Sequence, residues 1–453
     1  LFSAFLKFME KYMVFRINKD NIGEIKNDGL RKDAERYVKN YDYFLDDIKA
    51  AGAVLSDKDY GEREKELLDK LSAMGAEVRR GGNSVVINAV SPSCNHCRTG
   101  IGSSTYIITL ACNRDCFFCV NKNQADYDTG VRKIYDMEKA FKNDLKRYKK
   151  MKSAAITGGE PLLYPDKCAE FIKTVKKTDK TVETRIYTNG DLVSVDILKT
   201  LSDAGLDEIR FGLKPDDNGD VDEKVFDNLR LAAKYIKRTM VEMPLTPGKT
   251  QKMKDLMVRI DEAGIFGVNI LEFLYPYVHS DEYAKRKYEV DKRPYKILFG
   301  WTYAGGVPVA GSRIECLETM LFCLEKGLNM GIHYCSLENK LSAQIYHHNA
   351  GLKLSGVEYF SPNDFFIKTV KGYGDDVYKI QETLDKNGCR HYLLDNSRKI
   401  IEFSPKDAEL LKDFDMELGL AYLAADFDEQ GRKVLKELQI DKIEPKYFSL
   451  EEI

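Results

Sequence analysis

The chain has 453 residues, of which 43% are hydrophobic and 31% charged, so it is a folded protein of two or three domains and not a disordered one. Lysine and arginine number 70 and aspartate and glutamate 72, and this balance argues against a nucleic-acid partner or an acidic lipid surface. No uncharged stretch of about 18 residues occurs, so no membrane span is expected. Ten cysteines in a chain of this size favour metal or redox chemistry over disulfides.

Residues 1–103 are predicted to form a mainly helical N-terminal region. Apolar spacing between Tyr37 and Ile48 fits an amphipathic helix, and a second helix is expected from Gly61 to Ala73. This region is either a cap on the main domain or an arm that binds a partner. Leu1 to Tyr12 mixes charges with apolar residues and has no small-residue cleavage site, so it is not a secretory signal and a cytoplasmic location is expected.

A CxxC loop, Cys94 to Cys97, follows a short predicted strand at Ser84 to Ala89. Two thiolates three residues apart can close on one metal ion, which makes the loop half of a metal site. A redox dithiol and an unmetallated cysteine pair are the alternatives. The loop needs further ligands from elsewhere in the chain if it holds a metal.

Three more cysteines, Cys112, Cys116 and Cys119, come directly after the apolar run Thr105 to Ala111. The run indicates a buried parallel strand, and the spacing places three thiolates around one small volume. Iron–sulfur cubanes are held by cysteine thiolates, usually four, so three ligands leave one iron open to a substrate or cofactor. A zinc site and three buried cysteines are the alternatives, although zinc sites usually pair CxxC with a second CxxC or a histidine pair.

From Ser104 onward, apolar runs alternate with helical stretches, which is typical of parallel strands joined by crossover helices. The predicted strands lie near 105–110, 153–156, 183–187, 208–213, 240–244 and 268–274. Six such units predict an α/β domain over residues 104–340, a partial (β/α)6 TIM-type barrel. Functional residues should then collect where the strands end.

Candidate ligand-binding residues do follow these strand ends. Gly158-Gly159-Glu160 combines two glycines, which let a ligand approach the backbone, with a carboxylate that can accept a hydrogen bond from an ammonium group. Thr188-Asn189 offers short polar side chains, and Lys214 offers a cation. Glu242 is a charge inside an apolar run, so it either faces the barrel interior or points outward.

The CxxxCxxC spacing with Phe118 before the last cysteine resembles the radical S-adenosylmethionine (SAM) superfamily, over roughly residues 104–280. The GGE loop, one βα unit later, is similar to that family's loop for the methionine amino group. The resemblance implies a [4Fe–4S] cluster on Cys112, Cys116 and Cys119. It also implies SAM contacts from a set of residues on the strand ends, namely Phe118, Gly158, Gly159, Glu160, Thr188, Asn189, Lys214 and Ile270.

Beyond the sixth strand, a polar and aromatic stretch from Tyr275 to Tyr303 either shapes a substrate site or only packs. A helix from Ser312 to Lys326 and a strand ending at Cys335 follow. Some family members with peptide substrates carry an auxiliary cluster in this part of the chain. Its candidate ligands here are Cys94, Cys97, Cys316 and Cys335, with buried single cysteines as the alternative.

Residues 355–453 are predicted to form a separate C-terminal domain with the order βαββαβ, a ferredoxin-like α+β sandwich. Its first strand should cover 364–371 and its first helix 376–386. A final helix from Glu429 to Leu438 is expected to pack on its surface. No motif in this domain indicates a site of its own.

The resemblance implies an oxygen-sensitive enzyme whose reduced cluster cleaves SAM to methionine and a 5′-deoxyadenosyl radical, which then abstracts hydrogen from a substrate. An electron donor such as flavodoxin or ferredoxin is an expected partner. The extra cysteines and the C-terminal domain favour a peptide or protein side chain as substrate. The catalytic residue that acts on the substrate stays unknown at this stage.

Three other functions stay open. The first is a synthase or maturase that acts on a small metabolite or cofactor precursor, and the second is a glycyl-radical activase. The third belongs to another class, a non-enzymatic iron–sulfur or zinc protein. Iron, sulfide and SAM-cleavage measurements would separate the third from the others.

Overall fold

The computed structural model describes residues 14–299 and 303–453. The described chain forms two compact units: residues 49–295 and 303–343 make one, and residues 14–48, 296–299 and 344–453 make the other. This division differs from the predicted domains, because the N-terminal region is shared between the two units. The proposed absence of a signal in Leu1 to Tyr12 concerns residues outside the described part.

The strands of the first unit are β1 Val54–Leu55, β2 Glu77–Arg79, β3 Ser84–Ile87, β4 Ser103–Thr109, β5 Ser153–Gly158, β6 Glu183–Thr188, β7 Glu208–Phe211, β8 Arg238–Pro244, β9 Gly267–Leu271, β10 Leu274–Pro276, β11 Glu289–Val290, β12 Gly306–Pro308 and β13 Gly331–Cys335. Those of the second are β14 Tyr359–Phe360, β15 Ile367–Tyr373, β16 Tyr392–Asp395, β17 Ile400–Phe403, β18 Leu418–Phe427 and β19 Lys433–Ile443.

The α-helices are Asp28–Ala50, Gly61–Ala73, Pro92–Cys97, Tyr127–Gly130, Met137–Arg147, Pro165–Thr178, Val195–Ala204, Glu223–Ala232, Thr250–Glu262, Asp281–Lys285, Ser312–Lys326, Leu337–Lys340, Ser342–Asn349 and Asp376–Lys386. Short 3-10 helices are Ile22–Glu24, Val120–Asn123, Pro161–Leu163, Tyr303–Gly305, Pro405–Leu411, Pro445–Tyr447 and Leu450–Glu452.

The main sheet of the first unit has the order β2-β3-β13-β9-β8-β7-β6-β5-β4. Strands β4 to β9 and β13 run parallel to one another, and the β2–β3 hairpin pairs antiparallel with β13. The predicted α/β class with a partial TIM-type barrel is therefore confirmed. The structure adds a seventh parallel strand and an antiparallel hairpin to the six predicted units.

The two faces of this sheet differ in polarity. Ile186, Ile209 and Val268 point outward into the apolar core with the surrounding helices. Arg210 and Asn269, one residue away from these positions, point inward. Because successive side chains of a strand alternate between faces, this pattern places buried charges inside the barrel and aliphatic side chains outside it.

The Pro92–Cys97 helix lies against the inner face of the barrel. Ser91 Oγ, just before it, donates a hydrogen bond of 2.6 Å to Glu208, the first residue of β7. Arg210 Nη2 and Asn269 Nδ2 donate to Cys94 Sγ at 3.2 and 3.4 Å. Since Glu208 lies at the amino end of its strand, the helix fills the end of the barrel opposite the strand ends that carry the predicted ligands.

The second unit contains an antiparallel sheet in the order β16-β17-β15-β18-β19, with β14 beside β15. Strands β15 to β18 follow the ferredoxin-like order that was predicted, and the Asp376–Lys386 helix occupies the predicted residues. The predicted second helix is a 3-10 helix, Pro405–Leu411.

One prediction for the second unit is wrong. The final helix expected from Glu429 to Leu438 is absent, because residues 433–438 begin β19, which pairs along its length with β18, and residues 429–432 form the turn between these strands. The amphipathic helix predicted between Tyr37 and Ile48 lies within Asp28–Ala50 and packs on the ferredoxin-like sheet, where Leu30 and Ile440 share one apolar cluster. The error concerns a charged amphipathic segment, whose partner only the tertiary structure decides.

Among residues 14–299 and 303–453, no helix is long and apolar enough to cross a membrane.

The β18–β19 pairing makes a testable prediction about stability. Ile440 lies in β19 and is 1% exposed. The substitution Ile440→Ala should lower the free energy of unfolding by about 2–5 kcal/mol, because it removes a buried aliphatic side chain from the core. Val434→Ala, in the same strand but 40% exposed, should cost no more than about 0.5 kcal/mol. Chemical denaturation of the full chain measures both. Equal losses would contradict the assignment of β19.

Candidate active site

The loop after β4 carries the three predicted cluster cysteines, and Cys112 and Cys119 are near enough to Cys116 to influence the pKa of its thiol. Cys119 N donates to Cys116 O at 3.2 Å, which closes a turn, and Arg114 N donates to Cys112 Sγ at 3.4 Å. All ten cysteines of the chain are described, and each is a free thiol. Cys112 is exposed, and the other two are half-buried.

This donor set fits a cluster with one open iron. Three soft thiol donors share one short loop, and none is engaged in a disulfide. In the part of the chain that the structure describes, no three histidine, cysteine or carboxylate side chains are arranged to hold a metal ion, and this includes the three cysteines of the loop. Their assignment as the cluster ligands therefore stays a prediction from the motif.

Gly158 and Gly159 allow the loop after β5 to lie against the strand that leads into the cysteines. Gly159 N donates to Thr109 O at 2.8 Å, and Glu160 N donates to Ala111 O at 2.8 Å. A Cβ atom at Gly159 would lie 2.0 Å from Ala111 O, and one at Gly158 would lie 2.0 Å from Thr109 O. Only glycine permits this approach at either position.

Glu160 connects this loop to the end of β6. Its carboxylate is fully buried and accepts hydrogen bonds from Leu162 N at 2.9 Å, Thr188 Oγ1 at 2.9 Å and Asn189 N at 2.7 Å. Burial raises the pKa of Glu160, while these three donors favour its anion. These hydrogen bonds make Glu160 a link between two loops, and its predicted role as acceptor for a ligand ammonium stays a prediction.

Asn189 links the end of β6 to the cysteine loop. Its Nδ2 donates to Asn113 Oδ1 at 2.8 Å and lies 3.6 Å from Cys112 Sγ. Arg114 Nε donates to Asp191 Oδ2 at 2.7 Å and ties the same two segments. The predicted residues Thr188 and Asn189 therefore do lie beside the predicted cluster site.

Phe118 lies in an aromatic cluster over the cysteine loop. Its ring centroid is 5.1 Å from that of Phe117 and 5.7 Å from that of Phe273, and Tyr283 lies 5.5 Å from Phe117. Lys214 Nζ is 5.6 Å from the Phe118 ring centroid. The 275–303 stretch thus contributes Tyr283 to this cluster. Phe117 and Phe273 were not predicted, although aromatic enrichment near Tyr275 was a signal for Phe273.

Ile270 does not lie at the site. Its side chain is fully buried in the apolar core on the outer face of β9. The alternation along β9 turns Asn269 inward and Ile270 outward, so a ligand inside the barrel meets Asn269 instead. The prediction of an Ile270 side-chain contact is corrected on this ground.

A cavity occupies the barrel interior beneath these loops. Its empty space, including the open mouth, is about 580 Å³. Tyr187 lines it and precedes Asn189 by two residues, a rise of about 7 Å along an extended chain. The part of the cavity that Tyr187 lines therefore lies toward the end of β6 that carries Asn189.

The lining of this cavity is polar and largely basic. It comprises Arg79, Arg80, Ser84, Cys94, Cys97, Arg98, Arg185, Tyr187, Arg210, Glu242, Asn269, His333, Cys335, Asn339, Lys340 and Ser342. Of the two orientations predicted for Glu242, the inward one is observed. The arginines were not predicted, although Arg185 and Arg210 carried the same signal as Glu242, a charge within an apolar strand.

Arg210 organises the charges of the cavity. Its guanidinium is 1% exposed and pairs with Glu208 at 2.6 Å, with Glu242 and with Cys94 Sγ at 3.2 Å. Burial alone would raise the pKa of Glu242, but Arg210, Lys340 and Arg185 hold it well below its usual range.

The Cys94 thiol also lies near the positive charge of Arg210. Burial opposes ionisation of its thiol, yet Arg210 and His333 lower the pKa of Cys94 to about 6. At neutral pH the sulfur is therefore mostly a thiolate.

The candidate ligands of an auxiliary cluster separate into two groups. Cys94, Cys97 and Cys335 line the same cavity. Cys316 is fully buried in the core on the outer face of the sheet, where its Sγ donates to Leu271 O at 3.5 Å. Because Cys335 faces inward from β13 and Cys316 packs outside the sheet, the structure does not bring Cys316 to the set. Whether the remaining three hold a metal stays a prediction.

Comparisons with known proteins agree with the cysteine motif. The model of the radical SAM superfamily matches residues 106–260. A Methanocaldococcus jannaschii protein named "putative glycyl-radical enzyme activating enzyme" is 31% identical over 320 residues, which cover 67% of this chain and 80% of that protein. An uncharacterized protein of the same organism is 29% identical over 150 residues, 31% of this chain and 46% of that protein.

Among solved structures, Streptococcus suis SuiB bound to its precursor peptide SuiA has a TM-score of 0.37 and 15% sequence identity, over 66% of this chain and 59% of SuiB. SuiB bound to S-adenosylmethionine has a TM-score of 0.36 and 15% identity, over 51% of this chain and 49% of that chain. The chain thus spans about half the length of SuiB.

The close approach at Gly159 predicts a specific effect on the cysteine loop. Gly159→Ala places a methyl group against Ala111 O, so it should displace the loop and lower iron incorporation severalfold. Gly23→Ala is the control, because no atom lies within 4 Å of a Cβ there. Iron per chain after anaerobic reconstitution is the measurement. Full iron content in Gly159→Ala would show that the approach is not required.

The lowered pKa of Cys94 predicts its reactivity. Iodoacetamide should alkylate Cys94 at a nearly constant rate above pH 7 and progressively more slowly as the pH falls through about 6, where the thiolate is protonated. Cys389 is the internal control, because burial and Asp407 raise its pKa, so it should react only at alkaline pH. Peptide mass spectrometry follows both sites.

The same experiment tests the predicted metal role. Identical pH profiles for Cys94 and Cys389 would contradict the thiolate assignment. A Cys94 that is inert until a chelator is added would instead show that it ligates a metal.

Proposed function

The chain belongs to the radical SAM superfamily, and from this premise we propose that it abstracts a hydrogen atom from a substrate held in the barrel cavity. Membership makes it an enzyme, so a non-enzymatic iron–sulfur or zinc protein is set aside. Its cofactors are a [4Fe–4S] cluster and SAM. The observation that carries the proposal is the cavity lined by Tyr187, two residues from the amide that touches Cys112.

Each part of the site has a role in this proposal. Cys112, Cys116 and Cys119 hold three irons, and the fourth is left for SAM. When bound and reduced, the cluster and SAM supply a 5′-deoxyadenosyl radical. The glycine loop gives the cofactor access to the backbone, and the aromatic cluster around Phe118 excludes water from the reacting atoms. The inward side chains of the barrel hold the substrate.

For the substrate, a peptide or protein side chain is our first proposal. It is supported by the name of the Methanocaldococcus relative, since a glycyl-radical enzyme is itself a protein. A small metabolite or cofactor precursor is the second proposal, because the cavity is lined by convergent polar and charged side chains that can orient a small ligand. Activation of a glycyl-radical enzyme is one form of the first.

The electron that the cluster needs must come from a partner. We propose flavodoxin or ferredoxin for this role, as small one-electron carriers. Replacement of dithionite by either carrier with its reductase should support SAM cleavage.

The cluster assignment makes the first prediction about activity. Cys116→Ala should abolish 5′-deoxyadenosine formation under anaerobic conditions with dithionite, because the cluster loses one of three protein ligands. Cys389→Ala, which removes a half-buried cysteine of the other unit, should retain the parental rate. Chromatography of the nucleoside product measures both. Normal turnover by Cys116→Ala would refute the proposal.

The two substrate classes can be separated without knowing the substrate. An extract of the source cells is divided by ultrafiltration, and each fraction is added to the reconstituted enzyme with SAM and dithionite. Stimulation of 5′-deoxyadenosine formation by the retained proteins supports a peptide or protein substrate. Stimulation by the filtrate alone supports a metabolite and overturns the first choice.

A further inference from the structure

The barrel cavity has more positive than negative side chains. Its basic members are Arg79, Arg80, Arg98, Arg185, Arg210 and Lys340, and its carboxylate is Glu242. All of them belong to the same compact unit. Buried charges of one sign are costly unless a partner of the other sign is present, so the excess raises the question of what balances it.

Neighbouring carboxylates balance part of this charge. Glu208 and Glu242 pair with Arg210, and Lys340 Nζ lies 3.7 Å from Glu242. Glu77 accepts two hydrogen bonds of 2.7 Å from Arg79. These groups form closed pairs that a ligand need not enter.

Arg185 differs from these paired side chains in its hydrogen bonding. Its side chain is 6% exposed, and its Nε is buried with no hydrogen-bond partner in the described chain. Its guanidinium carbon lies 5.3 Å from the Tyr187 ring centroid, and Arg210 and the thiols of Cys94 and Cys97 are among its charged neighbours. Nε of Arg98, which also lines the cavity, likewise has no partner there.

A planar guanidinium with an unpartnered N–H suits one kind of ligand particularly well. Carboxylate and phosphate oxygens match the spacing of its donors and form strong charge-assisted hydrogen bonds in a buried site. The stacked Tyr187 ring limits the directions in which Arg185 can turn.

We propose that the barrel cavity binds an oxyanion of the substrate, a carboxylate or phosphate group, and that Arg185 together with Arg98 holds it. The inference rests on the proposed function, because it makes this cavity the substrate site. The anion would anchor one end of the substrate beside Arg185. Arg185 precedes Asn189 by four residues, about 13 Å of extended chain, so the rest of the substrate extends toward the cysteine loop.

The test uses Cys94 as a reporter in the anaerobically purified, cluster-loaded full chain. Inorganic phosphate and malonate are added separately, and alkylation of Cys94 by neutral iodoacetamide is followed by peptide mass spectrometry. We expect at least one of the two anions to slow the reaction at Cys94 and not at Cys389. Potassium chloride at matched ionic strength should protect much less, which separates binding from screening. The more effective anion identifies the source of the oxygens.

Arg185→Met is the decisive variant. Loss of a charge-assisted contact should raise the anion concentration needed for half-maximal protection of Cys94 about tenfold or more. Arg230→Met, on an outer helix and 51% exposed, is the matched control and should leave protection unchanged. Arg98→Met serves as a second variant should Arg185→Met fold poorly by circular dichroism. Protection that is absent in the parent, or equal in parent and Arg185→Met, would overturn the proposal.

Two further outcomes are distinguishable. About eight irons per chain, with Cys94 inert until chelation, would place a second cluster in the cavity and overturn the proposal. Cys116→Ala should lose SAM cleavage yet keep protection by the anion. Failure of SAM cleavage in the parent would therefore contradict the proposed function while leaving the anion site tested separately.

Discussion

The Arg210 guanidinium is the interaction on which the barrel interior depends. It lies almost fully buried and joins β7 to β8 through Glu242 and to the Pro92–Cys97 helix through Cys94. A buried cation must be paired, because removal of one partner leaves the other charge unpaired in a low-dielectric interior. The position of the helix, the ionisation of Cys94 and the inward orientation of Glu242 all follow from this requirement.

The interior of the barrel is consequently polar, and the sheet is stabilised by the apolar core on its outer face. Ile186, Ile209 and Val268 bury aliphatic surface between the sheet and its helices. This separation frees the inner face for charged residues that would be too costly in an ordinary core. A chain can then change its inner residues, and thus its ligand, without changing the packing that holds the strands together.

Much of the fold and part of the site could be predicted from local patterns. The six parallel strands are apolar runs between helical stretches, and the cysteine motif and the GGE loop are continuous in sequence. Ile270 and the pairing of Glu160 could not be predicted, because each depends on which face or which loop lies opposite. Residues 429–438 carry charges at helical spacing, yet residues 433–438 pair with the long edge of β18, and this pairing decides their structure.

The position of the Asn189 side chain also bears on electron transfer to the site. Its amide nitrogen lies 3.6 Å from Cys112 Sγ, in the direction of a hydrogen bond to sulfur. An amide hydrogen beside a cluster-ligating sulfur withdraws negative charge from it and makes the attached iron easier to reduce. With Cys112 as the ligand that the motif predicts, Asn189 would therefore be placed to raise the reduction potential of the cluster.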